Sequence, residues 1–166
     1  MDLSDEKECL DMALKNFGLS ERIDILVNCG GFSQRDQFID CEYSLCDQMM
    51  RVNCLSPIAL IKGVVTNYLE STDKTKQLQI VNILSVSGLV GVPCRTFYSA
   101  SKFGLDGFGK AIQGELLDEN VWLTHIYPAY VQTNISKNAK LGDGSDLGNL
   151  DQNIKKGMKV EEACDQ

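Results

Sequence analysis

The segment QIVNILSVSGLVGVPCRTFYSASK, residues 79–102, decides the fold of this chain. Residues 79–84 are rich in β-branched side chains, which is typical of a strand buried in a sheet. The strand ends next to Ser85, and residues 99–117 then have helical spacing. Strands that alternate with helices predict an α/β fold with a parallel sheet.

Tyr98 and Lys102 are the strongest candidates for chemistry. They lie four residues apart and therefore share one face of the predicted helix. A free phenol has a pKa of about 10 and is a poor base at neutral pH, but a nearby ammonium group favours the phenolate. Ser85, at the strand end, could hydrogen-bond the oxygen of a carbonyl or alcohol. Taken alone, the Tyr-x-x-x-Lys pair favours a second interpretation, in which the tyrosine packs and the lysine is solvated.

The alternation of strands and helices extends on both sides of this segment. The pattern predicts a helix over residues 4–17 that ends at Gly18, and a helix over residues 43–69 that bends at Pro57. It predicts strands over residues 23–28 and 121–127. Parallel sheets bind ligands beyond the carboxyl ends of their strands. Asn28, Ser85 and Pro128 all stand at such ends, so we expect them to meet on one rim.

Five motifs follow one another in a fixed order. They are the strand end ILVNCGG at residues 25–31, Arg51-Val52-Asn53, the strand IVNILS at 80–85, Tyr98-Ser99-Ala100-Ser101-Lys102, and YPAYVQT at 127–133. In this order and spacing they resemble the short-chain dehydrogenase/reductase (SDR) family. The sequence around residues 30–35 resembles the membrane-associated dehydrogenase/reductase subgroup of this family. The chain departs from the family's usual residues at Cys29, Gly30, Leu84 and Ala129.

The resemblance implies a partial, Rossmann-like, doubly wound parallel sheet and an NAD(P)-dependent oxidoreductase. Such an enzyme interconverts a carbonyl and a secondary alcohol by hydride transfer, and a lipophilic substrate is expected here. Tyr98 would transfer the proton, while Lys102 would lower the pKa of the phenol together with the nicotinamide and would bind the nicotinamide ribose. Ser85 would polarise the carbonyl. Asn53 would hold a water that links Lys102 to solvent, although Asn53 taken alone favours a helix asparagine bonded to backbone.

The resemblance also implies a set of cofactor contacts and favours NADP(H) over NAD(H). The implied contacts are Asn28, Gly30, Tyr98, Lys102, Pro128, Val131 and Thr133. Asn28 could instead be a strand-end turn residue, and Thr133 could be a helix N-cap.

The family's glycine-rich pyrophosphate turn, Gly-x-x-x-Gly-x-Gly, does not occur in the sequence. Residues 1–22 look like the helix before the family's fourth strand, and residues 156–163 look like the start of a further helix. The expectation is therefore one incomplete SDR domain over residues 1–166, truncated at both ends, which binds cofactor poorly by itself. For the full-length protein we expect a homo-oligomer and membrane association through an N-terminal segment.

The alternative is a non-catalytic fragment or a dimerisation module. Two predicted helices carry apolar residues that could pack against a second subunit or, equally, against the sheet of the same chain. These residues are Ile58, Ile61, Val64, Phe103, Leu105 and Phe108. Cofactor binding would discriminate the enzyme from the interaction module.

Composition excludes several other classes. A formal charge of −7 and an isoelectric point near 4.7 argue against nucleic-acid binding. No continuous apolar run approaches the roughly 18 residues of a membrane span. The 7 cysteines are scattered without a Cys-x-x-Cys pair, which predicts no disulfide framework, no zinc site and mostly buried thiols, Cys29 included. This pattern suits a reducing compartment, such as the cytoplasm or the cytoplasmic face of the endoplasmic reticulum. His125, the single histidine, predicts a structural imidazole and no metal site.

Overall fold

A computed structural model describes residues 1–16, 23–72 and 75–165. Their elements in chain order are α1 (Glu6–Asn16), β1 (Ile25–Asn28), α2 (Tyr43–Met50), a π-helical turn (Arg51–Leu55), α3 (Ser56–Glu70), β2 (Leu78–Ile83), α4 (Thr96–Glu115), β3 (Val121–Ile126), α5 (Gln152–Lys155) and α6 (Val160–Cys164). Short 3-10 turns lie at Phe38–Asp40 and Val86–Gly88. The predicted end of the first helix, at Phe17 and Gly18, lies outside the described residues.

The three strands form one parallel sheet in the order β1-β2-β3. This confirms the predicted α/β, Rossmann-like parallel sheet. The register aligns Asn28 with Asn82 and Asn82 with His125 across the sheet. Beyond the strand ends, the N–H of Val86 donates to the carbonyl of Pro128 at 3.2 Å. The carboxyl ends of β2 and β3 are therefore joined at one rim, as the sequence predicts.

One face of the sheet forms the main core. Alternate strand residues point to it, since successive side chains of a strand face opposite sides. Leu78, Ile80, Val121 and Leu123 are buried there against side chains of α1, α3 and α4. The other face is exposed: Ile25, Val27, Trp122 and Ile126 are 63%, 55%, 54% and 45% accessible.

The helix predicted over residues 43–69 is continuous, but it contains an irregular turn where a bend was expected. At Arg51–Leu55 the backbone is π-helical, and the N–H of Ser56 donates to the carbonyl of Arg51, five residues earlier. Pro57, in the first turn of α3, has no N–H to donate to the preceding turn. The π turn lies directly before this proline, and such turns are frequent at functional sites.

By length and composition alone, the combined helix Tyr43–Glu70 could cross a membrane, with a mean hydropathy of 1.2. The sequence, which holds no continuous apolar run of that length, did not predict this. Within the fold, however, 61% of its most apolar window is buried. Most residues of that window therefore already have protein partners in this chain.

The helix residues considered for a subunit interface mostly pack within the chain. Ile61, Val64 and Leu105 are 0%, 3% and 2% accessible. Ile58 and Phe108 pack against the buried clusters, and Phe103 is 43% exposed. This distribution favours the interpretation in which these side chains cover their own sheet.

Candidate active site

Tyr98 lies in the first turn of α4 and is 4% accessible. It packs in a small apolar cluster with Leu45, Met49 and Phe97. Burial raises the pKa of the phenol, while hydrogen bonding with Ser85 and the charge of Arg95 act in the opposite direction. In the chain by itself burial outweighs Ser85 and Arg95, and the lowering expected from Lys102 together with a nicotinamide stays a prediction.

Lys102 is 5% accessible, and its Nζ lies 5.9 Å from the centroid of the Tyr98 ring. Nζ donates to the carbonyl of Ile83, at the end of β2, at 2.9 Å. No other hydrogen-bond partner of Nζ lies among the described residues, so two of its three donors remain available. Burial lowers the pKa of Lys102 to about 8, with Cys29 and Cys54 acting in the opposite direction.

Ser85 directly follows β2 and caps the 3-10 turn Val86–Gly88. The N–H of Ser87 donates to Ser85 Oγ at 3.1 Å, which fixes the side chain and uses one of its lone pairs. The hydroxyl hydrogen is therefore free to donate. Ser85 lies near enough to Tyr98 to lower the pKa of its phenol, so the two hydroxyls lie close together at the rim.

Asn53 is fully buried in the π-helical turn. Its Oδ1 accepts from the N–H of Phe32 at 3.0 Å, and its Nδ2 donates to the carbonyl of Phe32 at 2.9 Å and to Ser101 Oγ at 3.1 Å. Ser101 Oγ in turn donates to the carbonyl of Tyr98 at 2.8 Å. Asn53 therefore ties the loop after β1 to α4. This supports the interpretation of Asn53 as a backbone-bonded asparagine, with the loop rather than its own helix as the partner. Together, Asn53, Ser85, Tyr98 and Lys102 are called the catalytic cluster below.

The glycine loop after β1 approaches this cluster closely. A Cβ on Gly31 would lie 2.9 Å from Asn53 Oδ1 and 3.7 Å from Lys102 Nζ. A side chain here would therefore push against Asn53 and cover the ammonium. Gly30 is exposed, and a Cβ there would meet the flexible end of Leu3 at 2.4 Å.

The segment after β3 holds three predicted cofactor contacts. Pro128 is joined to the Ser85 turn through its carbonyl, as described above. Val131 pairs with Met158 in a parallel bridge. Thr133 is exposed, and its Oγ1 accepts from the N–H of Ile135 at 3.3 Å, in a turn rather than at a helix N-cap.

Thr133 also lines an open pocket of about 330 Å³. The other lining residues are Gln132, Asn134, Leu150, Ile154 and Lys155. Ser85, Tyr98 and Lys102 do not belong to this lining, so the pocket is a different part of the surface.

Asn28 belongs to a line of buried polar side chains that crosses the sheet. Its Nδ2 donates to Asn82 Oδ1 at 2.9 Å, and Asn82 Nδ2 lies 3.3 Å from His125 Nε2. His125 Nδ1 lies 2.9 Å from Asp106 Oδ1, on α4. Because Asn82 Nδ2 can only donate, this pattern places the ring proton of His125 on Nδ1. The Asn28 side chain therefore serves the sheet, and its cofactor contact stays a prediction.

Asp106 receives two more hydrogen bonds. Tyr127 donates its hydroxyl to Oδ1 at 2.6 Å, and Lys110 donates to Oδ2 at 2.7 Å. Burial acts to raise the pKa of Asp106, but hydrogen bonds from Lys110, Tyr127 and His125 outweigh it and the pKa is lowered. We call Asn28, Asn82, His125, Asp106, Tyr127 and Lys110 the polar row. Both ring nitrogens of His125 have partners, as the prediction of a structural imidazole requires.

Sequence reasoning missed two residues near Tyr98. Gln34 is fully buried, and its Oε1 accepts from the N–H of Phe97, in the first turn of α4, at 3.1 Å. Arg95 carries a charge that acts on the Tyr98 phenol. Arg95 had a detectable signal, since a cation three residues before Tyr98 lies one helical turn away. The partner of Gln34 is 63 residues distant, and no local pattern identifies it.

The cysteines depart from the prediction of mostly buried thiols. Cys9 and Cys54 are buried, but Cys29, Cys94 and Cys164 are exposed. Cys29 is exposed, so its expected packing role is wrong. The reason is its position: it directly follows β1, where the chain leaves the sheet at the rim. Cys29 acts on the pKa of Lys102, in line with the alternative expectation that Cys29 lies near the cofactor.

Similar known proteins identify the family of this chain. A family model described as short chain dehydrogenase matches residues 1–143. The chain belongs to the short-chain dehydrogenase family. A curated SDR relative, dehydrogenase/reductase SDR family member 7B of Xenopus tropicalis, is 35% identical over 163 residues, which cover 98% of this chain and 52% of the relative. This name agrees with the dehydrogenase/reductase subgroup that the sequence resembles, and the chain spans about half the length of the relatives it matches.

Two solved SDR structures show the same fold. A 4-hydroxyisoleucine dehydrogenase complexed with NADH and succinate is 30% identical, with a TM-score of 0.68, over 78% of this chain and 59% of that one. A short-chain dehydrogenase from Sphingobium yanoikuyae in complex with NADPH superposes with a TM-score of 0.77 over 99% of this chain and 59% of that one, at 23% identity. The second likeness concerns the fold alone.

Proposed function

We propose that this chain carries the catalytic centre of an NAD(P)-dependent oxidoreductase that interconverts a carbonyl compound and a secondary alcohol. The observation that carries the proposal is the buried Tyr98 phenol, whose ring centroid lies 5.9 Å from the Lys102 ammonium and whose pKa responds to the neighbouring Ser85 hydroxyl. Burial raises the pKa of the phenol, which therefore holds its proton at neutral pH. A protonated phenol is the form that donates a proton to a carbonyl oxygen.

The residues at the rim fit a nicotinamide cofactor. Lys102 has two unused donors that suit the hydroxyls of a ribose, and Gly31 has no side chain that would cover the ammonium. The bound cofactor would deliver a hydride to the substrate carbon or accept one from it. The NADH in the 4-hydroxyisoleucine dehydrogenase structure supports this class of cofactor.

The chain's own residues handle the oxygen and its proton. Ser85, whose lone pair is occupied by the N–H of Ser87, would donate its hydroxyl hydrogen to the substrate oxygen and stabilise negative charge that develops there. Tyr98 would supply the proton, or accept it in the reverse direction. Asn53 would hold the loop after β1 in position against α4. If Asn53 also binds the water that is expected to link Lys102 to solvent, that water would have to use the remaining lone pair of Oδ1.

The finer expectations rest on the SDR resemblance. They are nicotinamide contacts from Pro128, Val131 and Thr133, a preference for NADP(H), a lipophilic substrate, a homo-oligomer and a membrane-associated whole protein. Comparing the dissociation constants of NADPH and NADH for the whole protein would test the cofactor preference.

Tyr98→Phe in the whole protein is the direct test. We expect turnover to fall by about 10³-fold, because general acid–base catalysis contributes roughly 10²–10⁴-fold, while NADPH affinity stays within about twofold. Tyr43→Phe, at a tyrosine that is 82% exposed, is the matched control. Turnover retained by Tyr98→Phe would remove Tyr98 from the mechanism.

The 166-residue chain alone tests the alternative of a non-catalytic module. Its sequence holds no glycine-rich pyrophosphate turn, so we expect weak NADPH binding, measured by the fluorescence of Trp122 and by melting temperature. Tight, saturable binding would contradict that expectation and exclude the non-catalytic module.

A further inference from the structure

Two arginines and one aspartate meet beside Tyr98. Arg35 Nη2 forms an ion pair with Asp151 Oδ2, and Arg95 Nη2 lies 3.8 Å from the same oxygen. The side chains of Arg35, Arg95 and Asp151 are 23%, 13% and 16% accessible. They are therefore mostly buried but still reached by solvent. We call these three residues the arginine cluster.

The arginine cluster has an excess of positive charge. Two guanidinium groups share one carboxylate, and a separation of 3.8 Å between Arg95 and Asp151 is longer than a hydrogen bond. Arg95 Nε is buried and has no hydrogen-bond partner among the residues that the structure describes. Burial and the charge of Arg35 lower the pKa of Arg95. Arg95 is thus a buried cation with unused donors.

The position of Arg95 relates this charge to the catalytic cluster. Arg95 is the N-cap of α4 and stands three residues before Tyr98, on which its charge acts. The amino end of a helix carries positive partial charge, and the first turn of α4 has no acidic residue to offset it. Arg95 and Arg35 therefore both attract an anion to the place where they meet Asp151, and the helix end adds to the positive potential near Arg95.

We propose that the arginine cluster is an anion subsite, which receives a carboxylate or phosphate group of the substrate. The carbonyl compound reduced at Tyr98 is then an acid or a phosphate ester. This inference rests on the proposed function and names its substrate class. Arginine suits the role, because its planar donors bind carboxylate and phosphate in pairs.

A purely structural role does not account for the whole arginine cluster. Asp151 accepts from the N–H of Asn153 at 2.7 Å and caps α5, so its ion pair with Arg35 fastens the C-terminal segment to the loop after β1. That bridge needs one arginine. The second arginine, at 3.8 Å and with a buried unpaired Nε, adds a cation that the bridge does not use.

Calorimetric titration of the chain tests the subsite without requiring turnover. The probes are octanoate and octyl phosphate, which distinguish the two anion types, and octanamide, their uncharged counterpart. We expect both anions to bind at least about tenfold more tightly than octanamide, and Arg95→Gln to remove about tenfold of that affinity. Arg35→Gln should weaken it by a smaller factor.

Two further variants sharpen the result. Asp151→Asn keeps the N-cap of α5 but removes the competing charge, so anion affinity should rise severalfold. Arg51→Gln is the matched control, because Arg51 already pairs with Glu6 and Asp47 and should leave binding unchanged. Melting temperature reports whether each variant folds. If Arg95→Gln unfolds, the other two variants still test the anion subsite, because anion affinity should fall in Arg35→Gln and rise in Asp151→Asn.

Equal binding of octanoate and octanamide, or equal losses in Arg95→Gln and Arg51→Gln, would overturn the anion subsite. In the whole protein, Arg95→Gln should raise the KM for 2-oxooctanoate far more than for 2-octanone. An equal loss of kcat for both ketones would instead make Arg95 a positioning residue for the phenol and would also overturn the proposal. Anion binding without any ketone turnover would refute the proposed function and leave the subsite standing.

Discussion

The polar row and the catalytic cluster both include residues of α4 and both reach the carboxyl ends of the strands, but they use their hydrogen-bonding groups differently. In the polar row, Asp106 receives three hydrogen bonds and both ring nitrogens of His125 have partners. In the catalytic cluster, the buried ammonium of Lys102 has one partner among the described residues. Buried polar groups are normally satisfied, so unused donors at a buried site point to a missing ligand. By this criterion the polar row is structural, and the unused donors of Lys102 support the proposal that the catalytic cluster binds a ligand.

The largest stability effect should come from the polar row. Asp106→Ala leaves the Nδ1–H of His125 and the hydroxyl of Tyr127 without their acceptor. We expect the free energy of unfolding to fall by about 3 kcal/mol, because each buried unsatisfied donor costs about 1–3 kcal/mol. Urea unfolding of the chain measures this. Asp118→Ala, at an exposed turn, is the control and should change stability by less than about 0.5 kcal/mol. Equal effects of the two variants would show that the polar row is not a structural unit.

A substitution in the catalytic cluster should change the free energy of unfolding in the opposite direction. The lowering of the Lys102 pKa from 10.5 to about 8 corresponds to a folding penalty of about 3 kcal/mol for the charged group. Lys102→Met removes that penalty and one hydrogen bond worth about 1 kcal/mol. We therefore expect the free energy of unfolding to rise by about 2 kcal/mol at pH 7, while turnover of the whole protein is lost. A destabilised Lys102→Met would place Lys102 with the structural residues.

The pH dependence of that difference identifies its cause. Below pH 8, Lys102 carries its proton in both the folded and the unfolded chain, and the penalty is fully present. Above pH 8 the folded chain releases the proton while the unfolded chain keeps it, so wild-type stability rises relative to Lys102→Met. The advantage of the variant should shrink by about 1.4 kcal/mol per pH unit above pH 8. A difference that is constant up to pH 10 would exclude the buried charge as its origin.

The smallest stability effects are expected for alanine substitutions at two glycines of α4, which should have opposite signs. A Cβ on Gly109 would lie 2.1 Å from His125 Nε2, whereas a Cβ on Gly107 would meet nothing within 4 Å. Gly109→Ala should therefore destabilise the chain by about 1–2 kcal/mol through overpacking against the polar row. Gly107→Ala should stabilise it by about 0.5–1 kcal/mol through helix propensity. If both variants stabilise equally in thermal unfolding, the close approach of His125 to α4 is wrong.

Local patterns were enough to predict the sheet and the centre of the site. Ser85 stands at a strand end, and Tyr98 and Lys102 share a helix face, so short-range geometry fixes their placement. The resemblance added Asn53, but its partner Phe32 lies 21 residues away in a loop. The meeting of Arg95 with Asp151 joins the start of α4 to the C-terminal segment, and no spacing along the chain encodes it. The direction of the Tyr98 pKa depends on burial, which is a property of the packed fold rather than of the motif.

The π-helical turn rotates the side-chain faces of α2 and α3 relative to each other about their common axis. A single residue of an α-helix corresponds to a rotation of about 100°, so the added residue changes the direction of these faces while the helix stays continuous. Leu45 and Met49 can then contact Tyr98, while Leu60 and Val64 face the sheet. Deleting one residue between Arg51 and Leu55 would restore ordinary winding and turn one of these two surfaces toward solvent. This turn should therefore tolerate substitution far better than any change in its length.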